Sequence, residues 1–119
     1  MSGEKHVYAI HCLDDASVGR TEAEPRGGST KRMSNYTAHK EYQMSVANPE
    51  NPAFIKKIAA GPMLEEDGKF MIGSLFLVEA TREEAQTFLD NDPFKKLDVW
   101  GTIRMERFLD MSKPAASSL

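Results

Sequence analysis

Three histidines, one cysteine and scattered carboxylates are the residues of this 119-residue chain whose types could do chemistry, and their spacing narrows the choice. His6, His11 and His39 form no H-x-x-x-H pair and Cys12 stands alone, so no metal-ligand spacing is present. Gly27-Gly28 lacks the preceding strand and the Gly-Lys-Ser/Thr ending of a phosphate loop. Asp14-Asp15 and Glu65-Glu66-Asp67 read most simply as a strand end and a solvated turn, and Cys12 as a small buried apolar residue. No cofactor site is visible. The chemistry left is proton transfer, elimination or isomerisation, which acid–base side chains perform alone.

The segment FLDNDPF, residues 88–94, follows a helical stretch and finishes it with acid. A helix C-terminus carries partial negative charge, so a carboxylate there costs about 0.3–1 kcal/mol. Asp92 precedes Pro93 and is therefore biased toward extended backbone, which lets its side chain turn inward. One charge-assisted hydrogen bond would offset the penalty, and His39 is the candidate partner. Asp92 would hold one ring nitrogen and stabilise the imidazolium, leaving the other nitrogen to act as general base. The competing reading is a surface histidine on an amphipathic helix, with Asp92 simply ending the next one. Tyr36, one turn before His39, could hydrogen-bond a ligand or only pack. Ser74 could donate to a ligand oxygen or be a small residue that lets helix and sheet approach. His11 could line the pocket or be a hydrogen-bonded core residue.

These residues are positioned by an ordered set of elements. HVYAIHCLD (6–14) has the composition of a buried strand. DASVGRTEAEPRGGSTKR reads as an unusually long loop, of the kind that is functional or mobile. A helix is expected over 33–47, with Ser34 or Asn35 as its cap. NPENPAF interrupts it, a strand runs from 55 to 63, and Asp67-Gly68 makes a hairpin into the apolar strand 70–80. Thr81 and Glu84 form a capping box that opens a helix over TREEAQTFLDN, and VWGTIRMERFLD (99–110) is the last strand. SKPAASSL reads as a frayed tail. The order β-α-β-β-α-β is the ferredoxin-like α+β sandwich, and the direct hairpin argues against an open parallel sheet. In this topology Asp14, the first turns of the first helix, Gly61 and Asp92 share one rim, with His39 about two turns into its helix.

A length of 119 residues suggests one domain, and 40% hydrophobic with 28% charged residues is too apolar for general disorder. A net charge of −3 with dispersed Lys and Arg gives no nucleic-acid footprint. The N-terminus lacks a secretory pattern, and the longest apolar run is far short of the roughly 20 residues that span a membrane. A single cysteine suits a reducing compartment, so the expected home is cytoplasmic. The apolar strand 70–80 would expose one face in a monomer, so a homodimer is expected. The His39 site itself predicts that His39→Ala abolishes turnover and leaves the thermal transition nearly unchanged.

AAGPM…DGKFMIGSLFLVEATREEAQTFLDNDPF, with His39 on an upstream helix, resembles the YciI-like (YCII-related) proteins over about residues 7–109. Its most specific parts are Gly61-Pro62, Gly73-Ser74 and the Asp92-Pro93-aromatic triplet. The resemblance implies a dimeric α+β barrel with a pocket centred on catalytic His39 and Asp92. Chlorohydroxyhydroquinone dehydrochlorinase is one enzyme type of that family, and muconolactone isomerase shares the wider fold. A cofactor-free lyase or isomerase acting on a hydroxylated cyclic or aromatic small molecule is therefore expected, with Tyr36, His11 and Ser74 as lining groups. The alternative is a non-catalytic small-molecule-binding or partner-docking dimer. The chain departs from the family pattern in Tyr36, where arginine is common three residues before the histidine, in its longer 15–34 loop, and in the NPENPAF insertion.

Overall fold

The computed structural model describes residues 3–15, 19–22 and 25–112. Strand β1 (His6–Asp14) alternates as a half-buried strand should, with Tyr8, Ile10 and Cys12 buried on one face and His11 on the other. It lies between β5 (Phe70–Ala80) and β6 (Trp100–Arg107), antiparallel to both. β4 (Lys56–Leu64) covers the other side of β5 through the tight turn at Gly68, where φ is 76°. The main sheet therefore runs β4-β5-β1-β6, with every adjacent pair antiparallel. The inward row of β5, Ser74, Phe76, Val78 and Ala80, continues the face of Tyr8, Ile10 and Cys12.

The stretch read as one long loop is partly sheet. β2 (Arg20–Thr21) pairs with β3 (Gly27–Ser29), and β3 runs parallel to the start of β5. Met71 pairs with Leu64 on one side and Gly28 on the other, so β3 occupies the row that β1 leaves after Leu13. Strands of two and three residues carry no readable alternation. They depend on close approach: a Cβ on Gly27 would lie 2.4 Å from the Thr21 carbonyl oxygen. Residues 16–18 and 23–24 of this stretch, and 113–119 of the tail read as frayed, lie outside the described residues.

The first helix begins earlier than its sequence suggests. Ser29 caps α1 (Thr30–Ser34), its hydroxyl accepting from the Arg32 N–H at 3.1 Å. Asn35 then breaks the helix, and α2 follows over Tyr36–Val46. Asn35 is not a side-chain cap for α2; its amide donates back to the Lys31 carbonyl at 2.9 Å. NPENPAF forms turns in which Asn48 and Asn51 accept from the Glu50 and Ala53 N–H groups. α3 (Arg82–Asp90) carries the expected capping box, with Thr81 and Glu84 bonded reciprocally at 3.1 and 2.9 Å. A short helix absent from the sequence reading, α4 (Pro93–Lys96), follows.

The helices cover one face of the sheet: Val46, Ala85, Phe88, Leu89 and Phe94 form one apolar core with Tyr8, Ile10, Phe76 and Val78. The opposite face presents Leu13 and Leu75 at 38 and 39% exposure, with Ala9, His11 and Leu77 half-buried. Among the described residues no helix is long and apolar enough to cross a membrane. Gly73 leaves no room for a side chain between β5 and β1, since a Cβ there would lie 2.3 Å from the Cys12 carbonyl oxygen. Gly73→Ala must push two central strands apart, and a loss of at least about 2 kcal/mol is expected in denaturant unfolding.

Candidate active site

The acid after α3 has a local explanation as well as a chemical one. Asp90 pairs with Lys95 and Gln86 at the surface, and the Lys95 ammonium holds its carboxyl below the usual range. Asp92 is not the end of α3 but the N-cap of α4, with Pro93 at the first helical position. A carboxylate is favoured there by the helix dipole, so the repulsion expected from the sequence is reversed. Asp-Pro is itself the signal for a helix start, although a four-residue helix is too short to show periodicity.

Asp92 is 1% exposed, and both its oxygens are engaged. Oδ1 accepts from the Phe94 N–H and from His39 Nδ1, each at 2.8 Å, and Oδ2 accepts from Gln43 Nε2 at 2.7 Å. An ionised carboxylate only accepts, so Nδ1 carries the proton and the neutral ring keeps its lone pair on Nε2. Phe94 fixes the ring plane: the two rings stack with centroids 3.9 Å apart and planes within 2°. Trp100 meets the imidazole edge-on at 6.1 Å. The Asp-Pro-Phe triplet thus supplies the acceptor, the helix start and the stacking platform.

A second buried pair lies alongside and was not found from the sequence. Arg32, 1% exposed, donates from Nε to Asp14 Oδ2 at 2.6 Å and from Nη2 to Oδ1 at 3.2 Å. Its guanidinium carbon lies 4.7 Å from the Phe94 ring centre. Nη2 also donates to Ser74 Oγ at 2.8 Å, and Trp100 Nε1 donates to the same oxygen at 3.2 Å. With two donors on that oxygen, the Ser74 hydroxyl proton is left to donate. Two signals were present in the chain. Arg32 precedes His39 by seven residues, two helical turns, and Asp14 continues the inward row Tyr8, Ile10, Cys12.

These groups border a cleft of about 230 Å³ between α2 and the β4–β5 edge. Arg32, Tyr36, His39, Lys40, Lys57 and Ser74 line it on the polar side, and Pro62 and Phe76 on the apolar side. Every charged side chain in the lining is cationic. The two carboxylates nearby, Asp14 and Asp92, are buried and bonded to Arg32 and His39. Burial, then Asp92, pushes Tyr42 up to about 12; burial, then Asp92 and Asp14, pushes Cys12 up to about 12. Both stay protonated in the neutral range. Among the described residues no group of three or more His, Cys, Asp or Glu could hold a metal.

The fold therefore brings His39, Tyr36 and Ser74 to one cleft, with Asp92 buried behind His39. It does not bring His11 there, because strand alternation puts His11 on the opposite face, beside Leu75 and Arg104. Lys40, Lys57, Gln43 and Arg32 join the site without having been singled out.

No curated protein matches the chain. Among solved structures it resembles the 5-chloro-2-hydroxyhydroquinone dehydrochlorinase of Burkholderia phenoliruptrix AC1100, in complex with 2,5-dihydroxybenzoquinone. The likeness has a TM-score of 0.63 and 27% identity, covering 86% of this chain and 92% of that one. The family model for the YCII-related domain matches residues 7–109, and so this α+β chain belongs to the YCII-related family.

Proposed function

We propose that this protein is a small cofactor-free acid–base enzyme of the lyase (dehydrochlorinase) or isomerase type, acting on a hydroxylated cyclic or aromatic small molecule. The observation that carries this reading is the buried 2.8 Å bond from His39 Nδ1 to Asp92 at the wall of a cleft. His39 Nε2 takes a proton from a ring hydroxyl or an activated C–H. Asp92 stabilises the imidazolium that forms, and the electron pair moves onto the ring oxygens or expels a halide. In an isomerisation, His39 returns the proton at another ring position. Ser74 and Lys40 line the cleft into which a ring oxygen's developing negative charge would face, and a cation-lined cleft suits acidic ring hydroxyls. Tyr36 packs or bonds beside them. The hydroxyquinone chemistry of the similar dehydrochlorinase supports this class.

The strand order β4-β5-β1-β6 with helices on one face supports a ferredoxin-like sandwich. We propose that a second copy covers the open face around Leu13, Leu75 and Leu77, forming a dimeric α+β barrel in which His11 faces the partner. A cytoplasmic home fits the single buried thiol. A non-catalytic binding dimer is the competing reading, favoured by Tyr36 at the family's arginine position. Arg32, which brings a guanidinium to the cleft from α1, weighs against it.

A panel of hydroxylated rings with and without ring chlorine tests the reading. At least one should lose chloride or isomerise with the wild-type protein and not with His39→Asn. Saturable binding with no product from any of them would favour the competing reading. Sedimentation equilibrium at micromolar concentration should give a dimer, and a monomer there would sink the barrel.

A further inference from the structure

Two residues not used in the proposed reaction are tied to the far side of Asp92. Gln43 stands one turn after His39 on α2 and donates from Nε2 to Asp92 Oδ2 at 2.7 Å. Its amide oxygen accepts from Lys57 Nζ at 2.7 Å, and its backbone carbonyl accepts from the same ammonium at 3.0 Å. A continuous hydrogen-bonded run therefore links Lys57, Gln43, Asp92 and His39 from β4 across α2 to the start of α4. The amide has one workable orientation. A flip would turn its oxygen toward the carboxylate and its nitrogen toward the ammonium, like against like at both ends.

The run does two things that His39 and Asp92 alone would not. Geometrically, it pins the carboxylate: Oδ2 is held by Gln43, so Oδ1 stays aimed at Nδ1. Electrostatically, Asp92 alone favours the imidazolium, which is useless as a base, and a cation on its other side offsets that preference. Burial lowers the pKa of Lys57 while Asp92 raises it, so the two groups sense each other. Among the described residues, no other ionisable group around His39 is bonded to Asp92 or Gln43. Arg32 on α1 is neutralised by Asp14 on β1, Cys12 on β1 and Tyr42 on α2 stay protonated, and Asp90 at the end of α3 is paired with Lys95 at the surface. Tyr36 and Lys40 border the cleft from α2 itself. Among the described residues, Lys57 is the one cation bonded into the Asp92 network.

We infer that Gln43 and Lys57 are positioning residues of this site, Lys57 acting through the Gln43 amide on Asp92 to keep His39 neutral, and so basic, near neutral pH. This rests on the acid–base reading above, but its test does not need a substrate. The His39 ring nitrogens are followed by NMR through a pH titration in the wild type, Lys57→Met, Lys57→Gln and Lys57→Arg. Losing the cation favours the imidazolium, so both neutral variants should move the His39 midpoint up by about one pH unit, the effect of a unit charge on the order of 10 Å away at an effective dielectric constant of about 20. Lys57→Gln keeps a donor for Gln43 and should shift as Lys57→Met does, because charge rather than packing is what acts. Lys57→Arg should stay near the wild type. Where a ring is turned over, the acid limb of kcat/KM should move by the same amount. A His39 midpoint unmoved in a folded Lys57→Met or Lys57→Gln protein overturns the inference. A shifted midpoint in a protein that turns nothing over would leave it standing and remove the enzyme reading instead.

Discussion

His39→Asn is expected to lower kcat/KM on any ring this protein turns over by about 10²–10⁴-fold, the usual contribution of a positioned general base. The asparagine amide can still donate to Asp92 from close to where Nδ1 sits, but nothing then stands at Nε2 to accept a proton. Steady-state kinetics checks the first effect and denaturant unfolding the second, where a loss of no more than about 1 kcal/mol is expected. His39→Ala is a different experiment. The sequence alone predicts a nearly unchanged thermal transition for it, but His39 is 9% exposed and stacked on Phe94. Truncation would strip a donor from a buried carboxylate and cost about 1–3 kcal/mol, so a dead His39→Ala enzyme would confound catalysis with folding. In the wild type the rate should fall as the pH drops through the His39 titration, because only the neutral imidazole accepts a proton. Full activity in folded His39→Asn would exclude His39 as the base.

Asp14→Ala should cause the largest stability loss of any single change near the cleft, about 3–5 kcal/mol. The reason lies in what is left behind. Arg32 is 1% exposed and its guanidinium is neutralised by Asp14, so removing the carboxylate strands a buried positive charge. Arg32→Met in the same protein should recover most of the loss, because replacing both members of a buried pair by apolar groups of similar size is close to neutral. Chemical denaturation of both single variants and the double variant measures this directly. If Asp14→Ala unfolds with the same midpoint as the wild type, the pair is solvated and contributes little. The double variant should stay folded yet bind ligand poorly, since Arg32 also holds the Ser74 hydroxyl oxygen at 2.8 Å.

What could be read along the chain was whatever depends on neighbours a few residues apart. Strand alternation in 6–14 and 70–80, the Asp67-Gly68 turn and the Thr81/Glu84 capping box are local patterns, and each appears where it was expected. The missed elements are those too short for a period to register: β2, β3, α1 and α4 have two to five residues each. Asp92 shows the limit well. Its proline neighbour shows that the backbone leaves the helix, but only a following turn of helix makes it a cap.

The site belongs to the other class of information. His39 and Asp92 are 53 residues apart in the chain, Gln43 and Asp92 49, Arg32 and Ser74 42, and Arg32 and Asp14 18. Their types marked some of them as candidates, and the family resemblance added weight to His39 and Asp92. Which oxygen meets which nitrogen is decided by how α2 and α4 pack on the sheet, whereas the placing of His11 on the face opposite Ser74 follows from strand alternation alone. Side-chain type and near-neighbour pattern are written in the chain itself. The charge balance around one imidazole is a sum over several separate elements, and it exists only once those elements are brought together.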